Sequence, residues 1–134
     1  DAAIVKVSEK KGIALPLADV RYSEYSSRSG HPIYMFGFPF GGGRSDDVNK
    51  LNPSFASGYV KAVQFKGGRD QIDVDISAQQ GCSGGPVFSK ESGSIIGILC
   101  GAHAYRGDVL VEQINYVLPV KYLWEAVIRD ICEE

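Results

Sequence analysis

The sequence lacks any apolar segment long enough to cross a membrane as a helix. Its longest nearly apolar stretch, Ile95–Ala104, contains two glycines and a histidine and is about half as long as a bilayer requires. Charge of one sign is also scarce, because 14 Lys and Arg oppose 16 Asp and Glu for a formal net charge of −2. Such a chain has no general attraction to nucleic acid or to anionic membranes. We therefore predict neither as a partner.

Cysteine is scarce too: the chain has Cys82, Cys100 and Cys132. An odd number of widely spaced cysteines is unlike the disulfide framework of a small secreted domain. No Cys/His cluster has the spacing of zinc ligands. Three buried free thiols are the simplest interpretation, and they favour a reducing intracellular or organellar compartment. The sequence predicts no metal and no organic cofactor.

No secretory signal peptide is visible, and the chain begins at Asp1 rather than at a methionine, so we expect a processed or truncated chain. Glycine is what the sequence has in excess. Sixteen glycines and six prolines in 134 residues predict many tight turns, as in all-β folds. With 44% hydrophobic and 22% charged residues, the composition is that of one globular domain or a part of one.

Short apolar runs separated by turn signals predict six or seven strands. The pattern is clearest where Ile72, Val74 and Ile76 alternate with polar residues, which is the period of a strand with one buried face. Closely spaced hairpins without intervening helices favour an antiparallel barrel or sandwich. The predicted strands are residues 2–7, 32–38, 58–65, 71–76, 86–89, 95–100 and 110–118, and the polar segments 19–31 and 44–57 are predicted loops.

The last segment changes its period and predicts an amphipathic helix over about residues 120–132. Pro119 stands at its start, a position that proline favours. One apolar stripe has the spacing of a helix face and consists of Val120, Leu123, Trp124, Val127, Ile128 and Ile131.

The string Gly81–Pro86 is the candidate for chemistry. A serine nucleophile needs a fixed hydroxyl and nearby backbone N–H groups for the oxyanion, and glycine permits the backbone angles that turn those groups inward. Ser83 is the candidate nucleophile, and the N–H groups of Gly81 and Ser83 are the candidate oxyanion donors. Gly84 and Gly85 leave room for a substrate backbone. A glycine-rich hairpin turn without chemistry is the alternative.

Gly81–Pro86 resembles the nucleophile motif of trypsin-like serine proteases of the chymotrypsin fold. Asp1–Val7 resembles the segment around the catalytic aspartate of that family. The segment Gly30–Gly43, which contains Phe36–Gly41, resembles the HtrA/Deg-type branch, and matches to the same branch follow in order at Ser57–Val60, Val74–Asp75, Ile96–Ile98 and Ile114–Pro119. The resemblance covers nearly the whole chain but only the C-terminal part of the family domain. It implies a six-stranded antiparallel Greek-key β-barrel, the second barrel of that fold, over residues 19–134 with the C-terminal helix. Residues 1–18 would be the last strand of the first barrel and a linker.

The resemblance also implies a catalytic triad in the order His, Asp, Ser. Asp1 stands at the position of the triad carboxylate, so the histidine should precede it, in a missing N-terminal barrel on the same or a separate chain. His31 and His103 both follow Asp1, and chain order makes neither the general base. His31 is predicted to lie at the surface. His103 follows the strand 95–100, which lines the substrate cleft in the family, and it is predicted to be a loop residue, with a substrate contact as the alternative. Cys82 stands one residue before the position of the family's cysteine nucleophiles, which favours Ser83 over Cys82.

The resemblance places the primary specificity pocket at two segments. The implied wall residues are Ser77, Ala78, Leu99, Cys100, Gly101 and Ala102. Ser77 occupies the position at which trypsin has an acid, and Asp75 is predicted to lie on a strand face instead. A neutral pocket favours small or medium apolar side chains over Lys or Arg, because an unpaired buried cation is costly.

The resemblance thus implies a serine endopeptidase that hydrolyses polypeptides through an acyl-enzyme, here without its catalytic histidine and therefore inactive alone. Two alternatives stay open. One is a non-catalytic, protease-like module that binds peptides in the cleft. The other is an orphan fragment that forms a domain-swapped or otherwise altered oligomer.

Overall fold

The computed structural model of the chain describes residue 19 and residues 24–38, 52–78 and 81–125. Most of these residues are in strands, which alternate with tight turns. The elements in chain order are a 3₁₀ turn Glu24–Ser27, β1 Pro32–Gly37, β2 Ser54–Lys66, β3 Arg69–Ile76, β4 Pro86–Ser89, β5 Ile95–Arg106, β6 Val109–Pro119 and the helix α1 Val120–Leu123. Within the described ranges, no helix has the length and apolarity that a membrane span requires.

The six strands close into one antiparallel barrel in the order β1-β2-β3-β6-β5-β4. Closure comes from β1, which pairs with β2 on one side and with β4 on the other. Because β3 and β4 are consecutive in the chain but are separated by two strands in the barrel, the connection between them passes over those strands, as in a Greek key. The predicted six-stranded Greek-key barrel is confirmed, and the sandwich that the residues had left open is excluded.

Apolar side chains of the strands fill the barrel interior, and in β3 they occupy every second position. Ile72 is 0% exposed, and Val74 and Ile76 are each 4% exposed, while Asp75 between them is exposed. The predicted alternation is therefore confirmed. The other strand residues of the core are Ile33, Met35, Val60, Val87, Ile96, Leu99 and Val117.

Two predicted loop assignments are wrong. Residues 54–57 belong to β2, because Ser54 pairs with Gly37 and Ser57 pairs with Tyr34 across the β1–β2 ladder. His103 lies within β5 rather than in a loop, opposite Gln113 of β6. In both places the hydrogen-bonded partner strand extends the element beyond the apolar run from which its length was predicted.

The prediction of a surface position for His31 is also wrong, since His31 is 6% exposed. Its Nε2 lies 2.8 Å from the Oγ of Ser89, and its Nδ1 lies 4.0 Å from Oε2 of Glu91. The cause is tertiary: β1 pairs with β4 through Ile33 and Ser89, which brings the residue before β1 onto the end of β4.

Helix α1 begins at Val120, directly after Pro119, as predicted. It is attached to the start of β3 by an ion pair between Lys121 and Asp70. The N–H of Asp70 also donates to the hydroxyl of Tyr122 at 2.5 Å. Residues 126–134 and residues 1–18 lie outside the described residues, so the helix end, Cys132 and the division at residue 18 stay predictions.

Candidate active site

The loop Gly81–Gly85 leads into β4, and its backbone is tied to β5. The N–H of Gly84 donates to the Leu99 carbonyl at 2.8 Å, and the N–H of Leu99 donates to the Gly85 carbonyl at 2.9 Å. The N–H of Gly85 closes a tight turn onto the Cys82 carbonyl at 3.0 Å. Gly81 and Gly84 have φ angles of +95° and +88°, which only glycine adopts at little cost. The glycines of the motif thus produce a fixed turn.

The two candidate nucleophiles of the loop face opposite directions. Cys82 is 6% exposed and belongs to the core cluster, and a Cβ built on Gly37 would lie 3.0 Å from its Sγ. Glycine at position 37 therefore makes room for the thiol inside the barrel. Ser83 is exposed. Of the two, only the Ser83 hydroxyl lies where a substrate could reach it.

The Ser83 hydroxyl faces an open position above β5. A Cβ built on Gly101 would lie 3.4 Å from the Ser83 Oγ and 3.7 Å from the Oδ1 of Asn115. Gly101 and Asn115 are paired across β5 and β6. Because residue 101 has no side chain, an unfilled space is left between the serine and the asparagine.

The candidate oxyanion donors differ from the other N–H groups of the loop. Gly84 and Gly85 donate inside the protein, whereas the Gly81 and Ser83 N–H groups donate to none of the residues that the structure describes. Asp1, the predicted triad carboxylate, lies outside those residues. The structure thus brings Gly81, Ser83 and Gly101 together, while His31 hydrogen-bonds with Ser89 instead.

Of the six predicted pocket residues, Gly101 borders Ser83 directly, and Ser77 is exposed. Ala78 is 8% exposed and Leu99 is 1% exposed, and both belong to the core. The side chain of Leu99 therefore contributes to the barrel interior, and its backbone holds the loop. Cys100 is half-buried, and Ala102 lies in β5 opposite Ile114.

The acids near the predicted pocket lie on the outer face of β3. Asp75 is exposed, as predicted, and accepts a hydrogen bond of 2.8 Å from the hydroxyl of Tyr59. This hydrogen bond and the negative charge of Asp75 raise the pKa of Tyr59. Asp75 therefore already has a neutral partner on the barrel exterior.

Tyr116 of β6 and Cys100 of β5 are paired with each other and form a second cluster of ionisable side chains, outside the barrel core. Burial raises the pKa of Tyr116, and the adjacent Cys100 raises it further. Both residues line a cavity of about 150 Å³ that also includes Arg69. Ser83 does not line this cavity, so it is distinct from the candidate active site.

Asn115 is the residue of this site that sequence reasoning missed. The β3–β6 ladder pairs Ile72 with Val117 and Asp73 with Tyr116, and the Asn115 side chain then connects the two strands: its Nδ2 donates to the Ile76 carbonyl at 3.1 Å. The available signal was a polar amide within the largely apolar run Ile114–Leu118, the second half of the strand predicted over residues 110–118.

The family model, the curated relatives and the solved structures that this chain matches are all peptidases or proteases. A family model described as a trypsin-like peptidase domain matches residues 1–98. Two curated relatives, the peroxisomal leader peptide-processing proteases of Mus musculus and Homo sapiens, are each 26% identical over 129 residues. The match covers 94% of this chain and 21% of each relative, so the chain spans about a fifth of their length.

Two solved structures of the HtrA-type protease AlgW, one with a decapeptide and one with a tripeptide, have TM-scores of 0.59 and 0.61. Each is 22% identical in sequence. The matches cover 90% and 94% of this chain but 34% and 39% of the AlgW chains. At this identity the likeness shows a common fold.

Proposed function

This chain belongs to the trypsin-like peptidase family, and we propose that it carries the nucleophile of a serine endopeptidase. The observation behind the proposal is the placement of Ser83, an exposed serine on a glycine turn that is hydrogen-bonded to β5. Its Oγ faces the space left by Gly101. Polypeptide substrates are supported by the relatives, which process leader peptides by name, and by the HtrA-type structures, which contain peptides.

In the proposed mechanism, Ser83 Oγ attacks the carbonyl carbon of the scissile peptide bond. A histidine takes the serine proton and returns it to the leaving amine, and water then hydrolyses the acyl-enzyme in the same manner. The N–H groups of Gly81 and Ser83 hold the oxyanion. The histidine belongs to an N-terminal barrel outside residues 1–134, on the same or a separate chain, and Asp1 orients it.

The decisive experiment is labelling of the full-length protein with a fluorophosphonate probe. We expect the adduct on the peptide that contains Ser83, no adduct after Ser83→Ala, and an unchanged adduct after the matched variant Cys82→Ala. An adduct that follows Cys82, or that persists in Ser83→Ala, would overturn the assignment. A folded protein that binds peptides but is never labelled would instead establish the non-catalytic binding module.

Residues 1–134 expressed alone are expected to have no appreciable peptidase activity. Loss of one triad member costs several orders of magnitude and leaves only about 10³–10⁴-fold catalysis over water. Turnover of a fluorogenic casein is compared with that of the full-length protein, with circular dichroism as the check on folding. Normal turnover by the isolated chain that disappears with Ser83→Ala would contradict a histidine supplied from elsewhere.

We also propose a reducing intracellular or organellar compartment. Cys82 and Cys100 both carry free thiols, which persist where disulfides do not form. The curated relatives are peroxisomal by name. Fluorescence microscopy of the tagged full-length protein tests the proposal, and secretion would contradict it.

A further inference from the structure

The orientation of the Asn115 amide is determined by its hydrogen bond. A carbonyl oxygen can only accept, so the group that faces the Ile76 carbonyl at 3.1 Å must be the NH₂. The Oδ1 therefore points the other way, where it lies 3.7 Å from the position of a Cβ on Gly101. The donor of the amide is engaged with the protein, and its acceptor is turned to the open space.

That open space is shared with the candidate nucleophile. The same Gly101 position lies 3.4 Å from the Ser83 Oγ, so the two oxygens border one gap. Asn115 is half-buried, and its Oδ1 has no hydrogen-bond donor among the residues that the structure describes. A substrate side chain that displaces water from this acceptor without donating to it would leave the acceptor unpaired, which costs free energy.

We propose that Asn115 is a specificity-determining residue, whose Oδ1 accepts a hydrogen bond from the substrate side chain that is bound beside Ser83. The inference rests on the proposed function and narrows its substrates. In the preferred substrate, the residue before the scissile bond has a short side chain with a hydrogen-bond donor. Such a side chain binds better than an apolar side chain of the same shape. The neutral pocket inferred from Ser77 thereby gains one fixed acceptor.

A basic side chain is the rival occupant, because a cavity of about 250 Å³ also borders Asn115 and is lined by Asp73 and Asp75. Two observations argue against a basic side chain in this cavity. Lys61 lines the same cavity and supplies a cation, and the Asp75 carboxylate is already hydrogen-bonded to Tyr59. Ser83 does not line this cavity.

The test uses the full-length protein with Ser83→Ala, so that bound peptides are not cleaved. Fluorescence anisotropy compares labelled peptides that end in Thr, Val or Lys and are otherwise identical. Thr and Val have the same shape, so their difference reports the hydrogen bond. We expect the Thr peptide to bind roughly three- to tenfold more tightly than the Val peptide, and the Lys peptide to bind most weakly.

Adding Asn115→Ala is expected to reduce the Thr-over-Val ratio to within about twofold, the residual left when one hydrogen bond is lost. The matched control is Gln64→Ala, which removes an exposed amide of β2 and should keep the ratio. Equal affinity for Thr and Val in the parent protein, a preference for Lys, or a ratio unchanged by Asn115→Ala would each overturn the inference.

If Asn115→Ala does not fold, Asn115→Asp provides the test, because it keeps the shape and an acceptor while adding a charge. It should improve binding of the Lys peptide by at least about tenfold, and no gain would overturn the position of residue 115 in the pocket. The binding measurement needs no catalysis. If the protein prefers the Thr peptide but is not labelled by the fluorophosphonate, only the proposed peptidase activity is refuted. If Ser83 is labelled but the Thr preference is absent, only the role of Asn115 is refuted.

Discussion

The serines at the two ends of β4 lie in opposite surroundings. Ser83, just before the strand, is exposed, whereas Ser89, its last residue, is 0% exposed and lies 2.8 Å from the Nε2 of His31. The exposed carboxylate of Glu91 lies 4.0 Å from the other nitrogen of the His31 ring. This end of β4 therefore has a serine, a histidine and a carboxylate in the spatial order of a catalytic triad. A serine–histidine contact is therefore not sufficient to identify a nucleophile, and access to the hydroxyl decides.

The difference follows from how each end satisfies its polar groups. At the buried end, the N–H of Ser92 donates to the Ser89 Oγ at 3.3 Å, and the hydroxyls of Ser92 and Ser94 lie 2.7 Å apart. Buried hydroxyls must be paired in this way, because an unpaired one costs free energy. At the exposed end, backbone hydrogen bonds fix the turn, and the side chain of Ser83 is left exposed beside Gly101.

Alanine substitution of each serine should give the strongest change and separate their roles. In the full-length protein, Ser83→Ala should lower kcat/KM by at least about a thousandfold while the melting temperature is unchanged. Ser89→Ala should keep kcat/KM within about threefold and lower the melting temperature, because it removes a buried hydrogen bond. Peptide hydrolysis and thermal melts check both variants. Activity lost through Ser89 and kept without Ser83 would reverse the comparison.

The next effect concerns two glycines of β5. A Cβ on Gly97 would lie 2.1 Å from the Leu118 carbonyl oxygen, so Gly97→Ala should destabilise the fold by roughly 1–3 kcal/mol or more. A Cβ on Gly101 would make ordinary contacts. Gly101→Ala should therefore leave stability nearly unchanged and lower kcat/KM, because the methyl group enters the space beside Ser83. Urea unfolding and kinetics separate the two, and similar stability losses would contradict the distinction.

A smaller effect tests the buried pair itself. His31→Ala should cost about 1–3 kcal/mol of unfolding free energy without altering fluorophosphonate labelling of Ser83. A double-mutant cycle with Ser89→Ala should give a coupling of roughly 0.5–1.5 kcal/mol. Additive single effects would show that the 2.8 Å contact does not stabilise the protein, and lost labelling would connect the two ends of β4.

The smallest effect comes from an exposed hydrogen bond, the counterpart of the buried pair. The Asp75 carboxylate raises the pKa of Tyr59, so the tyrosine is protonated more readily in the folded state. The hydrogen bond between Tyr59 and Asp75 therefore stabilises the folded state fully below the ordinary tyrosine pKa of about 10. This contribution is lost as the pH rises through the pKa that Tyr59 has in the folded state. Asp75→Asn should lower the pKa of Tyr59 towards its ordinary value. An ultraviolet titration measures it, and an unchanged pKa would contradict the assigned cause.

The parts of the fold that the sequence predicted correctly depend on patterns of neighbouring residues. Ile72, Val74 and Ile76 alternate as a strand must, and Pro119 precedes the helix. The parts it missed depend on partners far along the chain. The start of β2 at Ser54 required β1 beside it, and the burial of His31 required the end of β4. No local pattern contains either partner.

The residue types of the candidate site follow from local sequence, because Gly81–Pro86 combines a serine with the glycines that a sharp turn needs. The buried face of β3 also follows from the sequence, since Ile72, Val74 and Ile76 alternate with polar residues and are removed from water on one side of the strand. Three other facts depend on the folded barrel: which hydroxyl is accessible, that Cys82 points into the core, and that Asn115 faces Ser83 across Gly101. Those facts depend on strands closing against one another, and closure brings together atoms whose distance along the chain carries no information about their distance in space.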